Sequence, residues 1–280
     1  MTSLAKPIAA LARALPPDQG FALIPNRKLY EIYAAMLHCR LLAEQLQRPA
    51  AKRSSFGPFA ETIGHEAAIV AAAIDLDRAD TLAPGPGALV PCFVKGLPLA
   101  SIRTLLSPAS ARIPWSRHRI VPPILPLAVQ IEHALDAAQA NKTAKNGKVS
   151  VAFCGDSTAS AELLQQAMAR AGQKKLPILF VCHTAADGEE IAASAIGHGL
   201  PGIVVEAHDA VAVYRVVTES IAHARRGNGP TLIECRPWPL ADAPADPLAS
   251  MEQALSRRGI FTARLRSQTA AVFKQAFAVR

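Results

Sequence analysis

The chain has 280 residues, 50% of them hydrophobic and 19% charged, enough apolar surface to bury a core beneath a solvated exterior and too much for disorder, collagen or a coiled coil. An aromatic share of 5% beside abundant Ala, Leu, Val and Ile argues against an all-β sandwich and for helices packed on buried strands. The net charge of +8 comes as scattered pairs such as Lys174-Lys175 and Arg225-Arg226, so it reads as a solvated basic surface before it reads as nucleic-acid binding, and it suits an acidic partner subunit or a phosphate-bearing ligand.

The first 26 residues form a lead-in. Leu4 to Leu15 is apolar with two interspersed cations, is followed by Pro16-Pro17-Asp18, and shows no cleavage pattern. Arg27 to Gln47 carries Leu29, Ile32, Tyr33, Met36, Leu37, Leu41 and Leu42 at helical spacing, with Asn26 as the expected N-cap. A second helix is expected from Thr62 to about Leu76, then turns from Asp77 to Pro86, then a short helix within Val94 to Leu106 entered through Gly96 and Pro98.

Ser107 to Pro126 is a proline-rich loop with a basic cluster of Arg112, Arg117, His118 and Arg119, and Leu127 to Ala140 resumes as a helix. The next unit is the most informative. Val149 to Cys154 reads as a buried strand, Gly155 to Thr158 as a turn, Ala161 to Gln173 as a helix and Leu176 to Cys182 as a second strand. A strand-helix-strand crossover implies a parallel sheet. Gly202 to Glu206 and Thr231 to Cys235 are two further strands around a helix from Ala210 to Arg225. Ala241 to Pro247 is a linker and Leu248 to Arg280 a helical tail, giving a lead-in over 1–26, an α/β domain over 27–240 and a linker and tail over 241–280. The fold class is therefore α/β: three layers, a mostly parallel sheet with helices on both faces.

The five cysteines are odd in number, widely spaced and without a CxxC pair, which signals neither a disulfide framework nor a zinc site and fits a reducing cytoplasm. No run of about 18 apolar residues exists, so no membrane span is expected. Ligands of open parallel sheets bind beyond the C-terminal ends of the strands, where Gly155-Asp156-Ser157 lies. Asp156 can hold a Mg²⁺ that bridges to phosphate oxygens, or it can serve as a helix N-cap. No Gly-x-Gly-x-x-Gly or Gly-x-x-x-x-Gly-Lys motif follows a predicted strand, which argues against a nucleotide binder.

At these residues the chain resembles the α subunit of the thiamine-diphosphate-dependent E1 component of 2-oxo acid dehydrogenases, of pyruvate, branched-chain or acetoin type. Leu29 to Arg40 resembles the family's opening helix, and Ile63-Gly64-His65-Glu66-Ala67 its Gly-Gln-Glu-Ala element. Ile120 to Ala128 follows its Gly-Ile-Val-Gly-Ala-Gln-x-Pro-x-Ala segment, and Val151 to Ser157 stands at its diphosphate motif. The runs 175–182, 200–205 and 224–234 continue in the same order and spacing. The resemblance implies the thiamine diphosphate-binding fold and oxidative decarboxylation with acyl transfer to a lipoyl group. It also implies an E1β-like partner that carries the cofactor-activating glutamate, and a lipoyl-bearing E2. The implied cofactors are thiamine diphosphate and Mg²⁺, with Asp156 ligating the metal, Gly155 and Ser157 framing the diphosphate and Val121 touching the aminopyrimidine.

The departures fall at the same site. Ser157 replaces a glycine, and His183-Thr184-Ala185 stands where the family has Asn-Asn, leaving Thr184 and Asp187 as side chains with an oxygen to offer. The family's phosphate-binding Tyr-Arg-x-His maps onto Pro86-Gly87-Ala88-Leu89, and its His-Gly-His-Ser loop onto Arg236 to Leu240, without a histidine. His65 reads as a loop histidine before a functional one, and no residue takes the family's acid–base role. A weak hold on the cofactor is expected unless Arg112, Arg117 or Arg119 enters the phosphate site. A catalytically silent E1α-like scaffold or dimerisation protein is the alternative reading.

Overall fold

The computed structural model describes residues 4–18, 23–48, 59–60, 62–106, 113–154, 158–185, 190–237 and 246–278. Five strands form one parallel sheet: β1 (Thr81–Ala83), β2 (Ser150–Cys154), β3 (Ile178–His183), β4 (Gly202–Glu206) and β5 (Thr231–Arg236). Their spatial order is β1-β2-β3-β5-β4.

Alternation along the strands explains the layers, because successive side chains of a strand point to opposite faces. Val151, Leu179, Val181 and Ile233 enter one core, whereas Ala152, Cys154, Phe180, Cys182 and Leu232 enter the other. The first core is covered by α1 (Ala5–Arg13), α2 (Asn26–Leu46), α3 (Glu66–Ala73) and α9 (Ala210–Arg225). The second is covered by α6 (Leu127–Ala144), α7 (Thr158–Gln173) and α8 (Ala192–Gly197). Short helices α4 (Leu89–Val94) and α5 (Leu99–Leu105) extend the first core, and α10 (Pro247–Arg257) and α11 (Ala263–Ala278) pack outside α2.

Helix α2 holds that outer layer through polar tips on its apolar side chains. Tyr30 Oη and Thr269 Oγ1 lie 2.8 Å apart. Tyr33 Oη donates to Glu252 at 3.0 Å, and His38 Nε2 donates to Thr269 O at 3.0 Å.

The expected strands and helices from residue 149 to 236 are present, with ends moved by up to three residues. Four features differ. Pro25, with extended backbone, is the N-cap of α2, and Asn26 is its first residue, its N–H donated to Asp18 Oδ1 at 2.7 Å from the lead-in. The expected turn from Asp77 to Pro86 contains β1, a strand too short for a period to be read. The short helix expected within 94–106 is α5, started by Pro98 after Gly96 takes a φ of 108°, and the unexpected element is α4, which precedes it over Leu89–Val94. Pro91 sits in the first turn of α4, where a missing N–H costs nothing. The helix expected over 62–76 spans only Glu66–Ala73, since Gly64 has a φ of 91°. Gly202 is required where α8 crosses β4: a Cβ there would run into Ala192 O.

The N-terminal end of the sheet is tied by one buried carboxylate. Asp80 is fully buried and receives the N–H groups of Asp77 (2.7 Å) and Val149 (3.0 Å) and both terminal nitrogens of Arg225 (3.1 and 2.6 Å). It therefore joins the entry of β1, the entry of β2 and the end of α9. Replacing Asp80 with Ala leaves the Asp77 and Val149 amides without their acceptor and leaves Arg225 only Gly147 O and Asp77, and is expected to destabilise the fold by about 3 kcal/mol in urea unfolding; a loss below about 1 kcal/mol would show that the carboxylate is not a structural tie.

Candidate functional site

A cavity of about 220 Å³ opens at the C-terminal ends of β1, β2 and β3. Its walls come from the start of α3 (Thr62, His65, Ala68, Ile69), the segment after β1 (Pro84 to Pro86, Ala88), and the strand ends Phe153, Cys154, Val181 and His183.

Backbone hydrogen bonds hold the rim. Buried Gln130 accepts the Gly85 N–H at 3.0 Å and donates to Leu125 O at 2.8 Å. Gly87 N donates to Pro123 O at 2.8 Å, and Ala60 N donates to Gly87 O at 3.0 Å. Three loops distant in sequence are thereby fixed to one another, which gives the cavity a defined shape.

His183, the last residue of β3, lays its ring on His65 with centroids 3.7 Å apart and planes 11° from parallel. Burial pushes the His183 imidazole down to about 3, with His65 and His208 adding to the effect, so it is neutral at ordinary pH. Its Nε2 and the Oγ1 of Thr62 are buried and without a hydrogen-bond partner among the described residues. Beside His65, Glu66 accepts Arg40 Nε at 2.5 Å and Gly64 N at 3.0 Å, and Arg40 also grips Asp246, the N-cap of α10, at 3.0 and 2.7 Å. The carboxylate expected from the Gly-Gln-Glu-Ala resemblance is thus structural: it links the cavity loop to the outer helices.

The other candidates separate. Val121 is buried in the second core and donates its N–H to Leu82 O at 2.8 Å, alongside β1; it is not among the residues lining the cavity. Gly155, Asp156 and Ser157 lie outside the described residues, as do Asp187, Arg112 and residues 238–240 of the mapped loop. Arg119 donates to Ala79 O at 3.3 Å, at the N-terminal end of β1, and Arg117 lies in the 3₁₀ turn Trp115–His118 before it. Both are at the end of the sheet opposite the cavity, so neither enters a phosphate site there.

Thr184 does not face a metal. Its hydroxyl donates to Glu234 at 2.8 Å, and the same carboxylate accepts the Ile191 and Ala192 amides at 2.9 and 2.8 Å, at the start of α8. Glu234, fully buried, was detectable as the one carboxylate inside an apolar strand. Thr62 and His183 carried no such signal. Among the described residues no three His, Cys, Asp or Glu side chains converge as metal ligands, and no Lys or Arg lines the cavity. Ala185 has no side-chain oxygen. The described residues therefore do not fit a magnesium diphosphate. Burial pushes the Cys39 and Cys92 thiols up and holds Cys235 up at about 12, so these three offer no activated nucleophile.

Comparison with known proteins gives a consistent assignment. The family described as Dehydrogenase E1 component matches residues 34–238. The 3-methyl-2-oxobutanoate dehydrogenase subunit alpha of Mycobacterium tuberculosis (strain CDC 1551 / Oshkosh) is 29% identical over 284 residues, covering 89% of this chain and 76% of that protein. The 2-oxoisovalerate dehydrogenase subunit alpha of Bacillus subtilis (strain 168) is 29% identical, covering 75% and 71%. The pyruvate dehydrogenase E1 component subunit alpha of Staphylococcus aureus (strain Mu50 / ATCC 700699) is 30% identical, covering 75% and 60%. No helix among the described residues is long and apolar enough to cross a membrane.

A depressed imidazole sets a testable sign. Unfolded, His183 binds a proton below about pH 6.5; folded, it does so only near pH 3. Its burial therefore weakens the fold as pH falls below about 6.5, and its ¹³C and ¹H shifts should stay flat from about pH 8 down to about pH 5. An imidazole signal assigned to His183 that titrates near neutrality contradicts the buried, neutral stack.

Proposed function

Because this chain belongs to the Dehydrogenase E1 component family, whose cofactors are thiamine diphosphate and Mg²⁺, we propose that it is an α-type E1 subunit of a 2-oxo acid dehydrogenase with an impaired hold on that cofactor. The family match across residues 34–238 carries the reading. When bound, thiamine diphosphate supplies the electron sink for decarboxylation of the 2-oxo acid, and the acyl unit passes to a lipoyl group of an E2 component. The site is completed by a β-type subunit, so this chain is inactive alone.

Within this reading the chain's own hold falls to Gly155, Asp156 and Ser157, with Asp156 as the metal ligand, while Val121 supports the aminopyrimidine side. Position favours it. The segment 155–157 follows β2 and precedes α7, the place in a parallel sheet where helix amides meet anions. The impairment follows from the described residues: Thr184 is occupied by Glu234, and no cation lines the cavity.

Those two observations also favour a second reading, in which the chain is a catalytically silent scaffold or dimerisation partner. The two are separated by one variant. In the complex with its β-type subunit, Asp156→Asn is expected to lower Mg²⁺-dependent uptake of thiamine diphosphate, followed by calorimetry, by more than about tenfold, the value of one charge-assisted ligand, and to abolish 2-oxo acid decarboxylation. Unchanged uptake contradicts the proposed site, and wild-type protein without turnover on any 2-oxo acid leaves the scaffold reading.

A further inference from the structure

The N-terminal end of the sheet, away from the cavity, gathers cations. Arg117, His118 and Arg119 follow one another through the 3₁₀ turn Trp115–His118, which leads into the stretch beside β1. Arg119 Nε donates to Ala79 O at 3.3 Å, and Lys95 Nζ donates to Asp77 O at 2.5 Å. Arg78 lies between those two carbonyls in the chain, so three segments distant in sequence bring Arg78, Lys95, Arg117, His118 and Arg119 to one place. They act on each other electrostatically. Burial lowers the His118 imidazole below its ordinary value, and Arg78, Lys95 and Arg117 add to the effect. Burial also lowers Lys95, with Arg119 and Arg78 adding and Asp80 and Asp77 opposing.

Little in the fold answers this charge. The two carboxylates within electrostatic range are engaged elsewhere: Asp80 is held by Arg225, and Asp77 lies 3.3 Å from Lys148 and 3.5 Å from Arg225. Lys95 and Arg119 direct their hydrogen bonds to carbonyls, which leaves their charge unneutralised. Arg78 and Arg117, both exposed, make no ion pair among the described residues. The arrangement is also fixed. Arg119 has a φ of 54°, the left-handed region that a residue with a Cβ rarely adopts. Its N–H donates to Ser116 O at 3.1 Å, and its carbonyl accepts the Leu82 N–H at 2.9 Å. Like charges held together, one of them on strained backbone, oppose folding unless an anion completes them. Guanidinium groups take phosphate oxygens in pairs through their planar forks, so several of them in one place suit a compact anion of several phosphates. A long polyanion finds no continuous track, because further pairs such as Lys174-Lys175 and Arg257-Arg258 are scattered along the chain.

We propose that Arg78 and Arg117, with Arg119 and Lys95 beside them, form a binding site for a small molecule that carries two or more phosphate groups, at the end of the sheet opposite the strand-end cavity. The site stands on this cluster and is independent of whether the chain turns over a 2-oxo acid.

The test is tripolyphosphate titrated into the full chain by calorimetry at constant ionic strength, with orthophosphate and a short single-stranded oligonucleotide as comparison probes. Tripolyphosphate is expected to bind at least about tenfold more tightly than orthophosphate, and Arg78→Gln and Arg117→Gln are each expected to weaken it by about tenfold. Arg257→Gln, at an exposed cation on α10, should leave it unchanged. Thermal unfolding adds a readout that a structural role would not give. Because both arginines repel their neighbours, each Gln variant without ligand should unfold at or above the wild-type temperature, while the rise that tripolyphosphate gives the wild type should shrink in both. Absence of tripolyphosphate binding, binding that neither Gln substitution changes, or binding that Arg257→Gln weakens as much would each overturn the proposal. So would Gln variants that unfold earlier than the wild type, which would make the arginines structural. An oligonucleotide that binds more tightly than tripolyphosphate would overturn it in favour of a nucleic-acid surface.

Discussion

A sheet whose strands all run parallel has to be covered on both faces, because each strand returns to the same end through a crossover that lays a helix against one side. Here that requirement sorts the side chains of β2, β3 and β5 alternately into two cores. Burial on both faces removes the sheet surface as a place for chemistry. What remains is the rim at the strand ends, and at the C-terminal end the loops lead into helices whose first amides are free to meet a ligand. The cavity between Thr62, Pro86, Phe153 and His183 lies there.

Two buried carboxylates complete the frame at opposite ends of the sheet. At the entry of β1 and β2, Asp80 is answered by Arg225 and two backbone amides. At the exit of β3 and β5, Glu234 is answered by the Thr184 hydroxyl and two amides of α8. A buried charge is tolerated only when its lone pairs are occupied, so each carboxylate acts as a tie between elements far apart in sequence. The tie at Glu234 has a consequence for the strand ends: it engages the Thr184 hydroxyl, next to the end of β3, in the frame. The same network logic runs through Arg40, which couples Glu66 beside the cavity to Asp246 at the start of α10.

Much of the central sheet was legible from the residues. Val149 to Cys154, Gly202 to Glu206 and Thr231 to Cys235 are short, mainly apolar and β-branched runs bounded by Gly, Pro or polar turns, too short for a helix and so legible as strands, although β4 turns out to lie half-buried at the sheet edge. Thr81–Ala83 was not legible because three residues show no period, and Leu89–Val94 was masked by Pro91, a breaker everywhere except in a first turn. The place of the site was legible from the strand-end rule, and the family from the order of its motifs. Its contents were not. The stack of His65 on His183 joins residues far apart in the chain, and the orphaned Thr62 Oγ1 depends on what does not reach it; neither leaves a mark in local sequence. The placement of the basic cluster was not legible for a related reason: Arg117 and Arg119 precede Val121 in the chain, but the segment runs parallel to β1, which carries them to the far end of the sheet.

The account therefore joins the frame of a Dehydrogenase E1 component family member to a strand-end cavity whose described wall carries no Lys or Arg and is mainly apolar. Its central claim, that the chain works as an α-type subunit at an interface with a β-type one, is tested most directly by native mass spectrometry of the tagged chain purified from its own cells in Mg²⁺-containing buffer. The account predicts a hetero-oligomer with a β-type subunit, carrying thiamine diphosphate that dissociates readily on dilution. A cofactor-free assembly of this chain with itself would contradict it.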